Sequence, residues 1–321
     1  MNKPVLEVQN LKKYFPIKSN VLKKKIGDIK AVNGVNLVLQ EGENLGIVGE
    51  SGCGKSTLGK AILGLEELTS GTIKFKGESI EGLRYSRLKK YKKDMQMIFQ
   101  DPFASLNPRQ RIGDGIEEIY KIHTYLSKQQ RKERVKTLLK EVGLKNEHYF
   151  RYPHEFSGGQ RQRIAIARAI SLHPSLIVSD ESTSALDVSV QAQIMNLLKS
   201  IQKKHQISFL FISHDLAVIR QMCERILIMY LGAMAEWGSA EKIYNNPLHP
   251  YTKILLSSIP KPDPESNKEY IPLKGDVPSA SNYPNGCPFH TRCPIAKDHC
   301  SKLVPEWREI EEGHYVACHE V

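Results

Sequence analysis

The stretch Gly49-Glu50-Ser51-Gly52-Cys53-Gly54-Lys55-Ser56-Thr57 constrains this chain more than any other. It follows the apolar run Leu45-Gly46-Ile47-Val48 and precedes another at 58–63, so it reads as strand, glycine loop and helix. Glycines let successive backbone N–H groups turn inward around an anion, and a helix beginning near Lys55 aims its positive end at the same point. Lys55 is then placed to reach the β- and γ-phosphates of a nucleotide, and the Ser56 hydroxyl to ligate Mg²⁺.

Around this loop the chain alternates strand and helix signals. Residues 4–9 alternate like a strand and lead to Tyr14-Phe15. Residues 16–30 form a basic insertion with Lys23-Lys24-Lys25, which reads as a solvated hairpin or as a contact for lipid headgroups or a partner. Strands are expected at 34–39 and 71–76, and a buried one at 95–100 ending in Gln100. Residues 112–145 are helical and charge-rich, with Leu138, Leu139 and Val142 on one face, and look like an inserted lobe. Ser157-Gly158-Gly159-Gln160 then opens a helix over 161–172, stopped by Pro174. The apolar run 176–179 ends in Asp180-Glu181, as buried parallel strands end in functional groups. A helix at 188–204, a strand at 207–212, a helix opening at Ser213-His214-Asp215 and strands at 225–230 and 233–237 complete an α/β domain with a largely parallel sheet.

The 321 residues carry a formal charge of +11, which suits an anionic partner such as nucleotide, nucleic acid or an anionic membrane face, or simply sets solubility. No run of 18 apolar residues and no secretion signal pattern is visible, so a membrane is expected to be touched only through partners.

Taken together, the phosphate loop, Gln100, Ser157-Gly158-Gly159-Gln160, Asp180-Glu181, Ser184-Ala185-Leu186-Asp187 and His214 resemble the ATP-binding cassette (ABC) ATPases over about residues 4–258. That resemblance implies a P-loop NTPase of ABC type, with a mixed sheet core, a helical subdomain at about 100–172 and ATP with Mg²⁺ as ligands. It implies that Asp180 holds Mg²⁺ through water, Glu181 is the general base, Gln100 contacts Mg²⁺ and senses the γ-phosphate, and His214 braces that phosphate. Ser157 and Gly159 would complete the site on the ATP of a partner subunit. An aromatic that stacks on adenine is expected at Phe15, with Tyr14 as the alternative. Ser182 departs from the family, which often has proline after the glutamate; a local backbone change around an intact site is expected.

The segment Gln100-Asp101-Pro102-Phe103-Ala104-Ser105-Leu106-Asn107-Pro108-Arg109, the stretch Pro247-Leu248-His249-Pro250-Tyr251-Thr252-Lys253 and the ending from Cys287 to Cys318-His319 resemble the ATP-binding subunits of bacterial oligopeptide and dipeptide importers. This implies a related, non-identical ATPase partner, two membrane-spanning permeases, an extracytoplasmic peptide-binding protein and a peripheral place on the cytoplasmic face of the cell membrane. Importers of nickel, glutathione or similar solutes are the near alternative. A nucleic-acid ABC ATPase is the distant one, and the single cassette without long heptad runs argues against nucleic acid.

Residues 259–321 are expected to be a linker, rich in proline and serine over 261–285, and a Cys-rich tail. Cys287, Cys293, Cys300 and Cys318 are separated by five, six and seventeen residues. Four thiolates suit a tetrahedral Zn²⁺ or a four-iron cluster, and the missing close Cys pairs lean away from zinc. The subfamily resemblance implies [4Fe-4S], with Zn²⁺, free thiols or a disulfide still open and His319 the foremost substitute ligand among His290, His299, His314 and His319. Metal would staple a tail too short for a core of its own. Cys53 and Cys223 read as ordinary small residues.

Overall fold

The computed structural model describes residues 3–19, 24–83, 85–183, 186–259, 273, 275–278 and 282–321. The elements run β1 (Pro4–Lys18), β2 (Lys25–Gln40), β3 (Asn44–Val48), α1 (Lys55–Ile62), β4 (Ser70–Phe75), β5 (Glu78–Ser79) and α2 (Tyr85–Lys92). Then come β6 (Met95–Ile98), α3 (Ile112–His123), α4 (Lys128–Glu141), α5 (Gly158–Ile170), β7 (Leu176–Asp180), α6 (Val188–His205) and β8 (Ser208–Ser213). The chain ends with α7 (Leu216–Met222), β9 (Arg225–Tyr230), β10 (Ala233–Ser239), α8 (Ala240–Asn245), α9 (Pro250–Ser257), β11 (Arg308–Glu311) and β12 (His314–Val316). Two compact units result: Met1–Val5, Gln40–Glu43 and Leu83–Leu210 in one, and Leu6–Leu39, Asn44–Gly82 and Phe211–Val321 in the other.

The second unit carries the phosphate loop. One of its sheets is antiparallel, in the order β2-β1-β4-β5, with Leu6 opposite Phe75 and Val8 opposite Ile73. The basic insertion lies in the β1–β2 hairpin, where Ser19 N–H donates to the Lys24 carbonyl; residues 20–23, including Lys23, lie outside the described ones. The other sheet contains the order β11-β12-β10-β9-β3. All five residues of β3 are buried, as both-face coverage of a parallel strand demands, and β3 pairs parallel with β9 from Leu45–Arg225 to Val48–Ile228.

The sheet is mixed, as the family resemblance implies, where strand–helix alternation by itself reads as largely parallel. Leu231 and Gly232 have φ of 44° and 79°, the left-handed pair that lets a two-residue turn match strand twist, so β10 folds back antiparallel on β9. The tail adds to the same sheet: β12 pairs antiparallel with β10, and β11 with β12. Residues 282–321 therefore share the core of the phosphate-loop unit, so the tail expected to be too short for a core of its own packs on a sheet already present. The linker expected at 261–285 lies mostly outside the described residues.

In the first unit β6 and β7 pair in parallel, Met95 with Leu176 and Ile98 with Ser179. Helices α4 and α5 bury Val135, Leu138, Leu139 and Ile164, Ile166, Ile170, the one-sided pattern that a packed lobe needs. Tyr149 donates to Glu117 at 2.6 Å, and Arg131 pairs with the same carboxylate at 3.1 Å, tying α3, α4 and the turn at 146–150 together.

Candidate functional site

Within the phosphate-loop unit, the loop is held by backbone groups on several sides. A Cβ on Gly54 (φ 98°) would lie 1.9 Å from the Ala31 carbonyl oxygen, and one on Gly49 would lie 2.2 Å from that of Met229, so neither position admits a side chain. The Gly232 N–H donates to the Cys53 carbonyl at 2.9 Å, bracing the loop from the β9–β10 turn. Helix α1 starts at Lys55 with no side-chain cap on its first N–H groups, the arrangement of an anion-binding helix start. Lys55 is 4% exposed, and its ammonium donates to the carbonyls of Gly49 and Glu50 at 2.7 and 2.9 Å. Ser51 and Gly52 are exposed at the loop's outer edge, while Ser56 and Thr57 are half-buried behind it. The Cys53 thiol is buried beneath, which pushes its pKa up and suits the ordinary packing role expected of it.

Tyr14 and Phe15 divide their roles by strand alternation. The Tyr14 hydroxyl donates to Asn33 Oδ1 at 2.5 Å, and burial, then Asp28, raises its pKa. Phe15 is half-buried with the Lys13 ammonium 4.5 Å from its ring centroid. His214 is exposed between β8 and α7; the helix opens one residue after Asp215, whose carboxylate caps the N–H groups of Ala217 and Val218.

The first unit brings the carboxylate group together. Asp180 is buried at the end of β7, and Glu181 follows with φ 42°, a left-handed conformation that a non-glycine residue holds only when its surroundings enforce it. The Gln100 amide donates to Glu181 Oε2 at 2.9 Å. Ser182, buried, shares a 2.7 Å hydrogen bond with Ser179, so the hydroxyl that stands where the resembled family has proline anchors the turn.

Helix α5 opens at Ser157, where the sequence places its N-cap. Ser157 and Gln160 form a capping box: Ser157 Oγ accepts from the Gln160 N–H at 3.4 Å, and Gln160 Oε1 accepts from the Ser157 N–H at 3.1 Å. Ser157 and Gly158 are exposed, and a Cβ on Gly159 would meet Val190 at 2.5 Å. Asp187 is exposed at the N-cap position of α6, while Ser184 and Ala185 lie outside the described residues.

In the tail, all four cysteines are free thiols. Burial first of all, with the other three cysteines adding to it, pushes Cys287 up to about 11. Among the described residues no three of these sulfurs lie within 4.8 Å of one another; the group that does is His299, Cys300 and Glu320. His319, expected as a substitute ligand, instead hydrogen-bonds the Leu303 carbonyl at 2.9 Å.

Sequence reasoning missed two residues that grip the loop. The Tyr251 hydroxyl accepts from the Glu50 N–H at 2.8 Å, and Arg292 binds the Glu50 carboxylate at 2.6 and 3.2 Å. Tyr251 stands in a stretch singled out for another reason, and nothing in the spacing of Arg292 marks it.

Comparison with known proteins agrees with this geometry. Residues 32–184 match the ABC transporter family, and residues 235–300 match the oligopeptide/dipeptide transporter C-terminal region. The chain is 51% identical to the oligopeptide transport ATP-binding protein AppF of Bacillus subtilis, over 98% of this chain and 97% of that one. It is 48% identical to the di/tripeptide transport ATP-binding protein DppF of Pseudomonas aeruginosa, again over 98% and 97%. Among solved structures, a dimeric ATP-binding cassette in a post-hydrolysis state with ADP and Pi is similar at TM-score 0.65 and 30% identity, over 73% of this chain and 98% of that one.

Proposed function

This chain belongs to the ABC transporter family, as an ATP-binding and ATP-hydrolysing subunit of peptide import, and on that premise we propose how its residues share the work. The observation that carries the reading is the buried Lys55 ammonium at the centre of a glycine cradle opening straight into α1. Loop N–H groups from Gly49 to Thr57 and the start of α1 take the phosphates of ATP, and Lys55 exchanges its loop carbonyls for phosphate oxygens. Ser56, Gln100 and Asp180 offer the hard oxygen donors that Mg²⁺ prefers. The ion, when bound, neutralises charge on the transferring phosphoryl group. Glu181 accepts the proton of the attacking water, and Gln100 orients its carboxylate. His214 braces the γ-phosphate, and Phe15 stacks on adenine.

Ser157, Gly158, Gly159 and Gln160 at the start of α5, with Asp187 at the start of α6, serve the ATP of a partner cassette. The exposure of Ser157, Gly158 and Asp187 and the helix dipole behind Ser157 support this. The Glu181→Gln variant tests the assignment. It is expected to bind ATP, accumulate as an ATP-bound dimer with the partner ATPase and lose at least a hundredfold in turnover, in the range of a lost general base; hydrolysis at the normal rate overturns it.

The partners we infer are a related ATPase subunit, two permeases and an extracytoplasmic peptide-binding protein, with this chain peripheral on the cytoplasmic face of the cell membrane. Phe99 and Phe103, exposed beside Gln100, support a permease contact there. Among the described residues no helix is long and apolar enough to cross a membrane. Isolation of the assembled complex from membranes would identify the other chains.

We also infer that Cys287, Cys293, Cys300 and Cys318 hold a [4Fe-4S] cluster. The support is the donor set: four cysteines spaced by five, six and seventeen residues, without the close pairs usual in structural zinc sites. When bound, the cluster would supply a covalent staple. Visible absorption and iron analysis on anaerobically purified protein test this; a colourless, zinc-loaded sample overturns it.

A further inference from the structure

Glu50, the first variable residue of the phosphate loop, is gripped at every polar group it has. Its N–H donates to the Tyr251 hydroxyl at 2.8 Å, its carbonyl accepts from Lys55 at 2.9 Å, and its carboxylate receives both arms of Arg292. The Arg292 side chain is 5% exposed, and it also reaches the Tyr230 hydroxyl at 3.4 Å. A buried fork on a carboxylate fixes orientation as well as charge. Arg292 belongs to the tail, between Cys287 and Cys293. Its own position is set by a tight turn in which its N–H donates to the Phe289 carbonyl at 3.0 Å, while the Cys287 N–H donates to the Cys300 carbonyl at 2.8 Å. Phe289 is buried against Tyr230 and Tyr251, ring centroids 5.1 and 5.3 Å away, so the same tail segment also backs the tyrosine that holds the Glu50 N–H.

We propose that the Cys-rich tail is a positioning element for the phosphate loop, with Arg292 as its positioning residue. Through it the ligation state of the four cysteines and the affinity for nucleotide are linked. The proposal rests on the ATPase reading above. The physical reason is twofold. An anion site that carries a carboxylate on its own loop repels a triphosphate unless that carboxylate is neutralised, and Arg292 neutralises it. The cysteines that flank Arg292 in sequence set the shape of the turn that presents it, so a ligand that orders the turn favours the ordered loop. Linkage is reciprocal: nucleotide must then help the tail retain its metal by the same factor.

The test uses the full-length chain and a fluorescent, non-hydrolysable ATP analogue with Mg²⁺, read as equilibrium affinity together with amide exchange of residues 49–54. Arg292→Ala is expected to weaken binding on the order of tenfold and to speed exchange in the loop. Arg292→Lys, which keeps charge and fold but loses the fork, is expected to fall between the two. Adding Glu50→Gln to Arg292→Ala should restore most of the affinity, because no bare carboxylate remains. Removing iron or zinc with a chelator, which is then dialysed away before Mg²⁺ is restored, should weaken binding in the native chain and change little in Arg292→Ala. Native-like affinity and exchange in both arginine variants overturn the positioning role, and unchanged affinity after chelation overturns the linkage. If the native chain itself fails to bind the analogue, the failure belongs to the ATPase reading.

Discussion

Tyr14 and Phe15 show how one residue of offset decides a role. Neighbours on a strand face opposite ways, so when Tyr14 commits its hydroxyl to Asn33, Phe15 is left as the aromatic without a polar tether. Phe15→Ala is expected to weaken ATP binding roughly tenfold, since a base–aromatic stack is worth about 1–3 kcal/mol, whereas Tyr14→Phe should leave affinity unchanged and lower the melting temperature slightly. Nucleotide titration of both variants checks this. Glu181 is the other residue whose conformation matters more than its identity. Its place after Asp180 is legible as an acid at a strand end, but the left-handed φ and the Ser179–Ser182 hydrogen bond that supports it arise from packing around the turn. A serine in place of the family's proline is therefore a different anchor for the same turn.

Helix starts carry much of the function at the level of elements. Ser157→Ala removes the α5 cap and should lower unfolding stability by about 1 kcal/mol, read as a shift in melting temperature. Helix α9 offers a pH-dependent counterpart. His249, fully buried, accepts the Tyr251 N–H at 3.0 Å as the cap of α9, and burial first of all holds its pKa at about 3 against 6.5. The folded chain thus refuses a proton that the unfolded chain accepts between pH 6.5 and about 3. Stability must fall as pH drops through that window, by up to about 1.4 kcal/mol per pH unit, and level off below it. His249→Asn keeps an acceptor for the cap and removes the titration, so its melting temperature should fall less steeply between pH 6.5 and 4.5. The start of α5 was legible in Ser157-Gly158-Gly159-Gln160, because a capping box acts on backbone groups ahead of the buried face.

The phosphate-loop unit as a whole depends on its last forty residues. Glu236 on β10 is fully buried; it accepts from the Leu248 and His249 N–H groups at 2.8 and 2.9 Å and meets His314 of β12 at 2.8 Å. His314→Phe strips one partner from a buried carboxyl group and should cost on the order of 3 kcal/mol, visible as a large fall in melting temperature. The sequence by itself determined the phosphate loop, the order of the motifs after it, the helical insertion and the cysteine set. Each of these is written in short spacing, where a glycine, a lysine or an acid at a strand end has few alternative uses. Tertiary structure alone decided that the tail enters the sheet, and that Arg292 and Tyr251 hold Glu50 from positions 242 and 201 residues away along the chain. Contacts at such separation depend on a whole core closing at once, and no local pattern of residue types records which distant side chain it will bring home.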